Sequence, residues 1–286
     1  MIYIHQWGSL NRKEGEALDV KAALKEVAPK MVRRTDRFIQ LALLGAYRAV
    51  DGNPIDPHTA LYMASGQGNL AVFNRLRDQR YIDHQPPKPI DFINSLSNTA
   101  GFYVAQFLGL HGKNLNLAQH GFVAEMALLL AQNDLRLGKE DQVLIGGVDE
   151  LLQPASFTRK FLGICDGREL GEGSNWMLLN TRKEGALASL EVVSGVMSLT
   201  EVKQHLEAVT KTTKVAFGLR CNEAAVNALL EGNALERFCY ESGCGFYETA
   251  AFYAMNRFIE EGEGRMLFIE NFEEDFRLFE VDVLQS

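Results

Sequence analysis

Few side chains in this sequence suit nucleophilic or acid–base chemistry: four cysteines and six histidines in 286 residues. Cys244 stands between Gly243 and Gly245, ahead of a stretch that reads as a helix, a setting that lowers a thiol pKa and favours thiolate. No base is recognisable near it, and a small core cysteine is the competing reading. Gln119 and His120 lie before Gly121, at a turn that opens onto a long apolar-sided helix, so His120 is a candidate nucleophile or general base. Gly121 has no side chain and cannot attack. His205, the only histidine after His120, sits in a Glu/Lys-rich helical stretch and reads as a surface residue. Cys165, Cys221, Cys239 and Cys244 are scattered, and no His/Cys pair nearby completes a metal site, so the sequence implies neither metal nor cofactor. Ser65-Gly66-Gln67-Gly68 lacks the Gly-x-Ser-x-Gly frame of a nucleophile elbow and the third glycine of a dinucleotide fingerprint. Glu273-Glu274-Asp275 has no companion ligands for a metal.

The composition limits the rest. With 47% hydrophobic and 23% charged residues the chain reads as a globular protein with a sizeable core. A net charge of −8 argues against nucleic acid or an anionic membrane as the main partner. The basic cluster Lys30, Arg33, Arg34 and Arg37 reads as a solvated face at a helix start, and residues 260–275 as an acidic edge. The N-terminus lacks the charged-then-apolar pattern of a signal peptide. No apolar run approaches the ~18 residues of a membrane span. The expectation is a cytoplasmic protein with reduced thiols.

Alternating patterns predict an α/β fold. Strands are expected at Met1–Gln6, Leu61–Ala64, Asn114–Ala118, Gln142–Ile145, Trp176–Leu179, Ala188–Val193 and Val215–Leu219, with a closing antiparallel pair at Met266–Ile269 and Phe276–Val281. Helices are expected at Asp36–Val50, Asn69–Gln79, Phe122–Leu137, Thr200–Val209, Asn222–Leu230 and Gly245–Glu260. Gln85-Pro86-Pro87-Lys88-Pro89 is a loop.

Several segments share an order. Asn94-Ser95-Leu96-Ser97-Asn98 leads to a helix, and Gly112-Lys113-Asn114 to a strand. The turn at Gly121 precedes the helix through Leu130, and Gly146-Gly147-Val148-Asp149 ends the next strand. Asp166-Gly167-Arg168-Glu169-Leu170-Gly171-Glu172-Gly173 precedes the strand Trp176-Met177-Leu178-Leu179, and Arg33-Arg34-Thr35-Asp36-Arg37-Phe38 runs into a first helix. This order resembles the N-terminal half of a β-ketoacyl synthase, a thiolase-fold condensing enzyme, over roughly residues 30 to 182. The resemblance implies a thiolase-like layered fold of two related halves, 1–184 and 185–286, with the second shortened; no sequence repeat is visible.

On that pattern the cysteine nucleophile falls on Gly121. The family's first histidine falls within Leu219-Arg220-Cys221-Asn222 and its second within Ser242-Gly243-Cys244-Gly245-Phe246, where neither histidine is present. A condensing-enzyme scaffold without these residues resembles a chain-length factor. The resemblance then implies a heterodimer with an active β-ketoacyl-ACP synthase, in polyketide, aryl-polyene or fatty-acid-type elongation. The dimer would form through the Asn114 to Ala118 strand, and the acyl carrier protein would be reached through the active subunit. Leu70, Phe73 and Leu76, with Gln119 and His120, would shape the acyl tunnel; for the helix residues Leu70, Val72, Phe73 and Leu76 the alternative is an ordinary core stripe. Rival readings are a divergent acyltransferase or thioesterase using His120 or Cys244, and a homo-oligomeric binding scaffold.

Overall fold

The computed structural model describes residues 1–164 and 167–284. Cys165 and Asp166, the latter opening the Gly-Glu-Gly segment, lie outside the described residues. The chain runs β1 (Ile2–Lys13), α1 (Val20–Val27), α2 (Arg37–Ala49), β2 (Ala60–Ser65), α3 (Leu70–Tyr81), α4 (Pro89–Asn94), α5 (Asn98–Leu108), β3 (Asn114–Ala118), α6 (Val123–Arg136), β4 (Gln142–Asp149), α7 (Ala155–Leu162) and β5 (Gly171–Asn180). It continues with β6 (Ala188–Val192), α8 (Leu199–Ala208), β7 (Thr213–Phe217), α9 (Glu223–Leu230), β8 (Glu236–Arg237), a 3₁₀ turn at Glu241–Gly243, α10 (Ala250–Glu261), β9 (Arg265–Phe272) and β10 (Asp275–Val283).

The strands form one sheet in the order β3-β2-β4-β5-β1-β6-β10-β9-β7-β8. Read outward from the central β1–β6 contact, the two halves have the same topology. The first runs 1-5-4-2-3 and the second, numbering β6 to β10 as its own first to fifth strands, also runs 1-5-4-2-3. The pairing signs repeat as well. β2 is parallel to β3 and β4, as β7 is to β8 and β9; β4–β5 and β5–β1 are antiparallel, as are β9–β10 and β10–β6. A duplication that leaves no visible sequence repeat is thus explicit in the backbone. The second half keeps all five strands, but its outermost strand has shrunk to two residues.

Each half-sheet buries both faces, as parallel sheets must. The inner faces share one core with α6 and α10, including Val123, Leu128, Phe252, Phe258 and Phe268. The outer face of the first half packs on α1, α2 and α5, and that of the second on α8 and α9, in two separate cores. This gives the layered arrangement of the thiolase fold. α6 reaches across to β6 and β10, and α10 to β1, β4 and β5, so the halves interlock through these two helices.

Local chemistry explains the element starts. Asp19, Asp36 and Asn222 cap α1, α2 and α9 by accepting a backbone N–H, and Ser198 with Glu201 forms a capping box on α8. Several strand and helix bounds differ from expectation. β1 extends to Lys13, because its polar residues pair with β5: Arg12 meets the fully buried Glu172 carboxylate at 2.8 Å. Buried Gly146, Gly147 and Asp149 prolong β4 past Ile145. α2 starts at Arg37, so residues 33–36 precede it. α10 begins at Ala250, five residues later than expected, because Tyr247 is tied to Asn11 and Asn175 and Thr249 to Asp149. The 260–275 stretch is not simply a solvated acidic edge, since Met266 to Glu270 are buried in β9. Among the described residues no helix is long and apolar enough to cross a membrane.

Candidate active site

The turn between β3 and α6 is built on two successive left-handed residues, Gly121 (φ 66°) and Phe122 (φ 52°). The first suits glycine; the second is unusual for a bulky residue. Gly121 is buried, and the ring of Phe272 fills the space beside it. A Cβ at Gly121 would stand 2.3 Å from that ring. Phe272 ends β9, at the tip of the β9–β10 hairpin, and meets the Phe122 ring edge-on with centroids 6.1 Å apart. The space beside Gly121, where the sequence resemblance would put a cysteine side chain, is filled by an aromatic ring from the second half.

Charged groups surround that ring. Arg220 lies over Phe272, 5.4 Å from its centroid, and donates from Nε to Glu248 at 3.1 Å, with a second bond from its terminal nitrogen. His120 Nδ1 lies 3.3 Å from the same carboxylate, and its ring packs on Phe161 at 4.9 Å. Burial pushes the Glu248 carboxyl up, but the hydrogen bonds from His120 and Arg220 outweigh it and hold it below the usual range. Arg220 lies in the segment where the sequence resemblance would put the family's first histidine. Arg277 lies over Phe122 at 5.7 Å.

Beneath this layer are two buried carboxyls from opposite halves, Glu125 on α6 and Glu270 on β9. Burial raises the Glu125 pKa to about 7. Burial and the neighbouring Glu125 charge push Glu270 well up. Asp149, the acid of the Gly-Gly-Val-Asp segment, stitches the halves together. It accepts from Ser65 Oγ (2.9 Å), the Gly66 N–H (2.8 Å), and the Thr249 N–H and hydroxyl (both 2.9 Å). Burial and the Glu248 charge raise its pKa to about 6.

The sequence-derived candidates fall in different settings. Gln119 and His120 are exposed at the β3 end of the turn, where Gln119 donates to the Gly121 carbonyl at 3.3 Å. Cys244 is fully buried in the shared core, and burial pushes its thiol well above its ordinary value. It precedes the 250–261 helix by six residues rather than sitting at its N-terminus, so the expected thiolate stabilisation has no structural source. Leu70 and Leu76 are half-buried and Phe73 is 58% exposed; none belongs to a hydrophobic core cluster, which removes the core-stripe reading for Phe73. Phe272, Arg220, Glu248, Glu125 and Glu270 were not found from sequence. They meet only through the β9–β10 hairpin and the seam between halves, at separations no local spacing reveals. Among the described residues no group of three or more His, Cys, Asp or Glu side chains could hold a metal.

A duplicated α/β sheet layered around the central helices α6 and α10 is the architecture of the thiolase-like folds to which condensing enzymes belong. The family comparison agrees: the β-ketoacyl synthase N-terminal domain matches residues 6–160, more than half of the 286, and the chain belongs to that family. Solved structures extend the likeness over the whole chain. The ishigamide ketosynthase/chain length factor is similar at 16% identity and TM-score 0.79, covering 99% of each chain. A type II polyketide synthase acyl-carrier protein in complex with its ketosynthase gives 10% identity and TM-score 0.71, covering 99% of each. 3-oxoacyl-(acyl carrier protein) synthase III from Pseudomonas aeruginosa gives 15% and 0.61, covering 100% of this chain and 98% of that one. At such identities the likeness is one of fold. No curated protein matches significantly.

Proposed function

We propose that this chain is a non-catalytic, chain-length-factor-like subunit that pairs with an active β-ketoacyl-ACP synthase and shapes its acyl tunnel. The observation that carries the reading is the Phe272 ring packed against Gly121, a left-handed glycine at the family's nucleophile position. A nucleophile needs a side chain, and this turn has neither the side chain nor the space for one. The matched histidine positions support the same view. Arg220 is committed to Glu248, and Cys244 is a buried thiol.

The pairing surface fits the reading too. Among the described residues β3 is an outer strand hydrogen-bonded to β2 alone, and it packs beside α5 with its exposed Phe102; Phe73, Phe92, Ile93 and Leu96 are exposed on the same β2–β3 connection. An unpaired edge next to apolar surface is an association site unless it is covered. The active partner would supply the cysteine, the histidines and the docking of acyl carrier protein. Leu70, Phe73 and Leu76 on α3 would form the far wall of the tunnel.

The test is co-expression with candidate ketosynthases, followed by intact-mass analysis after incubation with an acyl-thioester. The reading expects a stoichiometric complex in which only the partner is acylated. Acylation of this chain alone, at a site abolished by His120→Ala or Cys244→Ala, would reverse it.

A further inference from the structure

The loops that leave β2 and β4 carry a second polar cluster with no place in the reading above. Asn69 Nδ2 donates to Asp36 Oδ2 and to the Asn94 carbonyl, both at 2.8 Å. Asn94 Nδ2 donates to the Arg34 carbonyl at 3.0 Å, and the Gln67 amide donates to the Glu150 carbonyl. These donors fix the orientation of three amides. Their oxygens, Gln67 Oε1, Asn69 Oδ1 and Asn94 Oδ1, are left buried without a protein donor, and so is Glu150 Oε2. Asn69 and Asn94 are only 4% and 3% exposed. Buried acceptors are nearly always satisfied, so four lone ones in two neighbouring groups, Asp36–Asn69–Asn94 and Gln67–Glu150, point to a ligand.

The charges point the same way. Glu172 is paired with Arg12 and Arg37, and Asp91 with Arg75. Adding Asp36 and Glu150 sets four carboxyl groups against three guanidiniums, so ionisation of all four would leave one negative charge uncompensated. Burial is the main cause that raises both Asp36 and Glu150, the latter to about 8 with Asp36 and Glu172 adding to the effect. Burial thus disfavours the charged form of both groups unless a cation joins them.

We propose that Asp36, Gln67, Asn69, Asn94 and Glu150 hold a monovalent alkali cation, Na⁺ or K⁺. The donors are all oxygen, and three are neutral amide carbonyls, which suits a hard ion rather than a transition metal. A monovalent ion would balance the single extra charge that ionisation of Glu150 creates, whereas Ca²⁺ or Mg²⁺ would overcompensate it. The ion ties the start of α2, the turn into α3 and the end of α4 to the end of β4. It thereby fixes the base of the α3–α4 segment.

The test measures thermal unfolding of the full chain at constant ionic strength in choline, sodium, potassium and calcium chlorides. Binding to the folded state alone predicts a saturable rise in Tm of roughly 3–8 °C in one alkali salt over choline. Glu150→Gln and Asn94→Leu should remove that ion-specific rise. Because either variant can fail to fold, crystals of the unaltered protein soaked in Rb⁺ or Tl⁺ provide a second readout, an anomalous peak among the five side chains. Equal Tm in choline and alkali salts, stabilisation by calcium alone, or crystals with only ordered water among these oxygens would overturn the assignment.

Discussion

The two ends of the sheet are topological equivalents with opposite surfaces. β3 and β8 each occupy the third position of their half and each pairs in parallel with one neighbour. β3 has five residues, with Leu115 and Leu117 packed on the shared core. β8 has two, Glu236 and Arg237. The connections diverge further. Between β2 and β3 the chain exposes Phe73, Tyr81, Ile82, Ile90, Phe92, Ile93, Leu96 and Phe102, whereas the corresponding connection between β7 and β8 exposes no large apolar side chain. A two-residue charged edge is closed to strand pairing, while a five-residue edge beside apolar surface invites it. One half thus presents a five-residue edge beside apolar surface, and the other does not.

The largest expected effect tests that asymmetry. Phe92 and Phe102 are 60% and 58% exposed, so replacing both with aspartate leaves the fold of the isolated chain little changed. If this face is the pairing surface, the double variant loses about 4 kcal/mol or more of association, roughly a thousandfold in Kd. Glu236→Lys on the opposite edge should leave association untouched. Analytical ultracentrifugation of the co-purified complex measures both. Loss of association in the β8 variant alone would reverse the comparison.

The turns that follow these edge strands also differ. After β3 the chain enters a helix within five residues through Gly121 and Phe122; after β8 it takes a longer route past Cys244 before α10. Gly121→Cys places a side chain at φ 66° and against the Phe272 ring. Left-handed strain and overpacking together should destabilise the chain by about 2–4 kcal/mol, read by chemical denaturation, with no acyl-enzyme formed. A stable variant that is acylated would mean that Phe272 swings aside, making it a movable gate.

The seam between halves gives a smaller effect with a defined sign. Glu125 from the first half lies near Glu270 from the second, and burial lifts its pKa from 4.5 to about 7. The folded chain then keeps a proton that the unfolded chain releases above about pH 4.3. Stability is full below that pH and falls as the pH climbs through 7. Glu125→Gln removes this titration and should stabilise the chain at pH 8 by roughly 2–3 kcal/mol relative to its effect at pH 4. Urea unfolding across that range measures it; parallel pH profiles for both proteins would mean that Glu125 titrates normally.

Both halves were legible in the sequence where apolar patterns run unbroken, and the misses fall mostly in the first half, for physical reasons. β2, α3, β3 and α6 have uninterrupted apolar patterns punctuated by glycine turns, and their positions were recovered closely. α1 was missed because its Lys- and Glu-rich sequence buries only Val20 and Leu24. β1 was cut short because Gln6, Ser9, Asn11 and Arg12 look unlike a strand until β5 supplies their partners. At the site, Gly121 was found because its neighbours in the chain frame it. Phe272, Arg220 and Glu248 were not, because each acquires its meaning from a residue far along the chain.

The smallest effect concerns Phe73, the residue through which the apolar face would act on product. It stands on α3, in the connection between β2 and the open β3 edge, and its exposure means that truncation leaves no core cavity. Phe73→Ala should cost little stability in the isolated chain, unlike the ~3–5 kcal/mol of a buried phenylalanine. In the complex, if the ring ends the partner's acyl tunnel, its removal opens room for a few methylenes, each gaining about 0.8 kcal/mol on burial. The products should therefore lengthen by one or two extension units, with total turnover retained. Mass spectrometry of products from the reconstituted pair reads the lengths, and a binding measurement on the same variant separates tunnel from interface. Unchanged lengths with weaker pairing would make Phe73 part of the contact between subunits. Longer products with undiminished pairing would place it at the end of the growing chain.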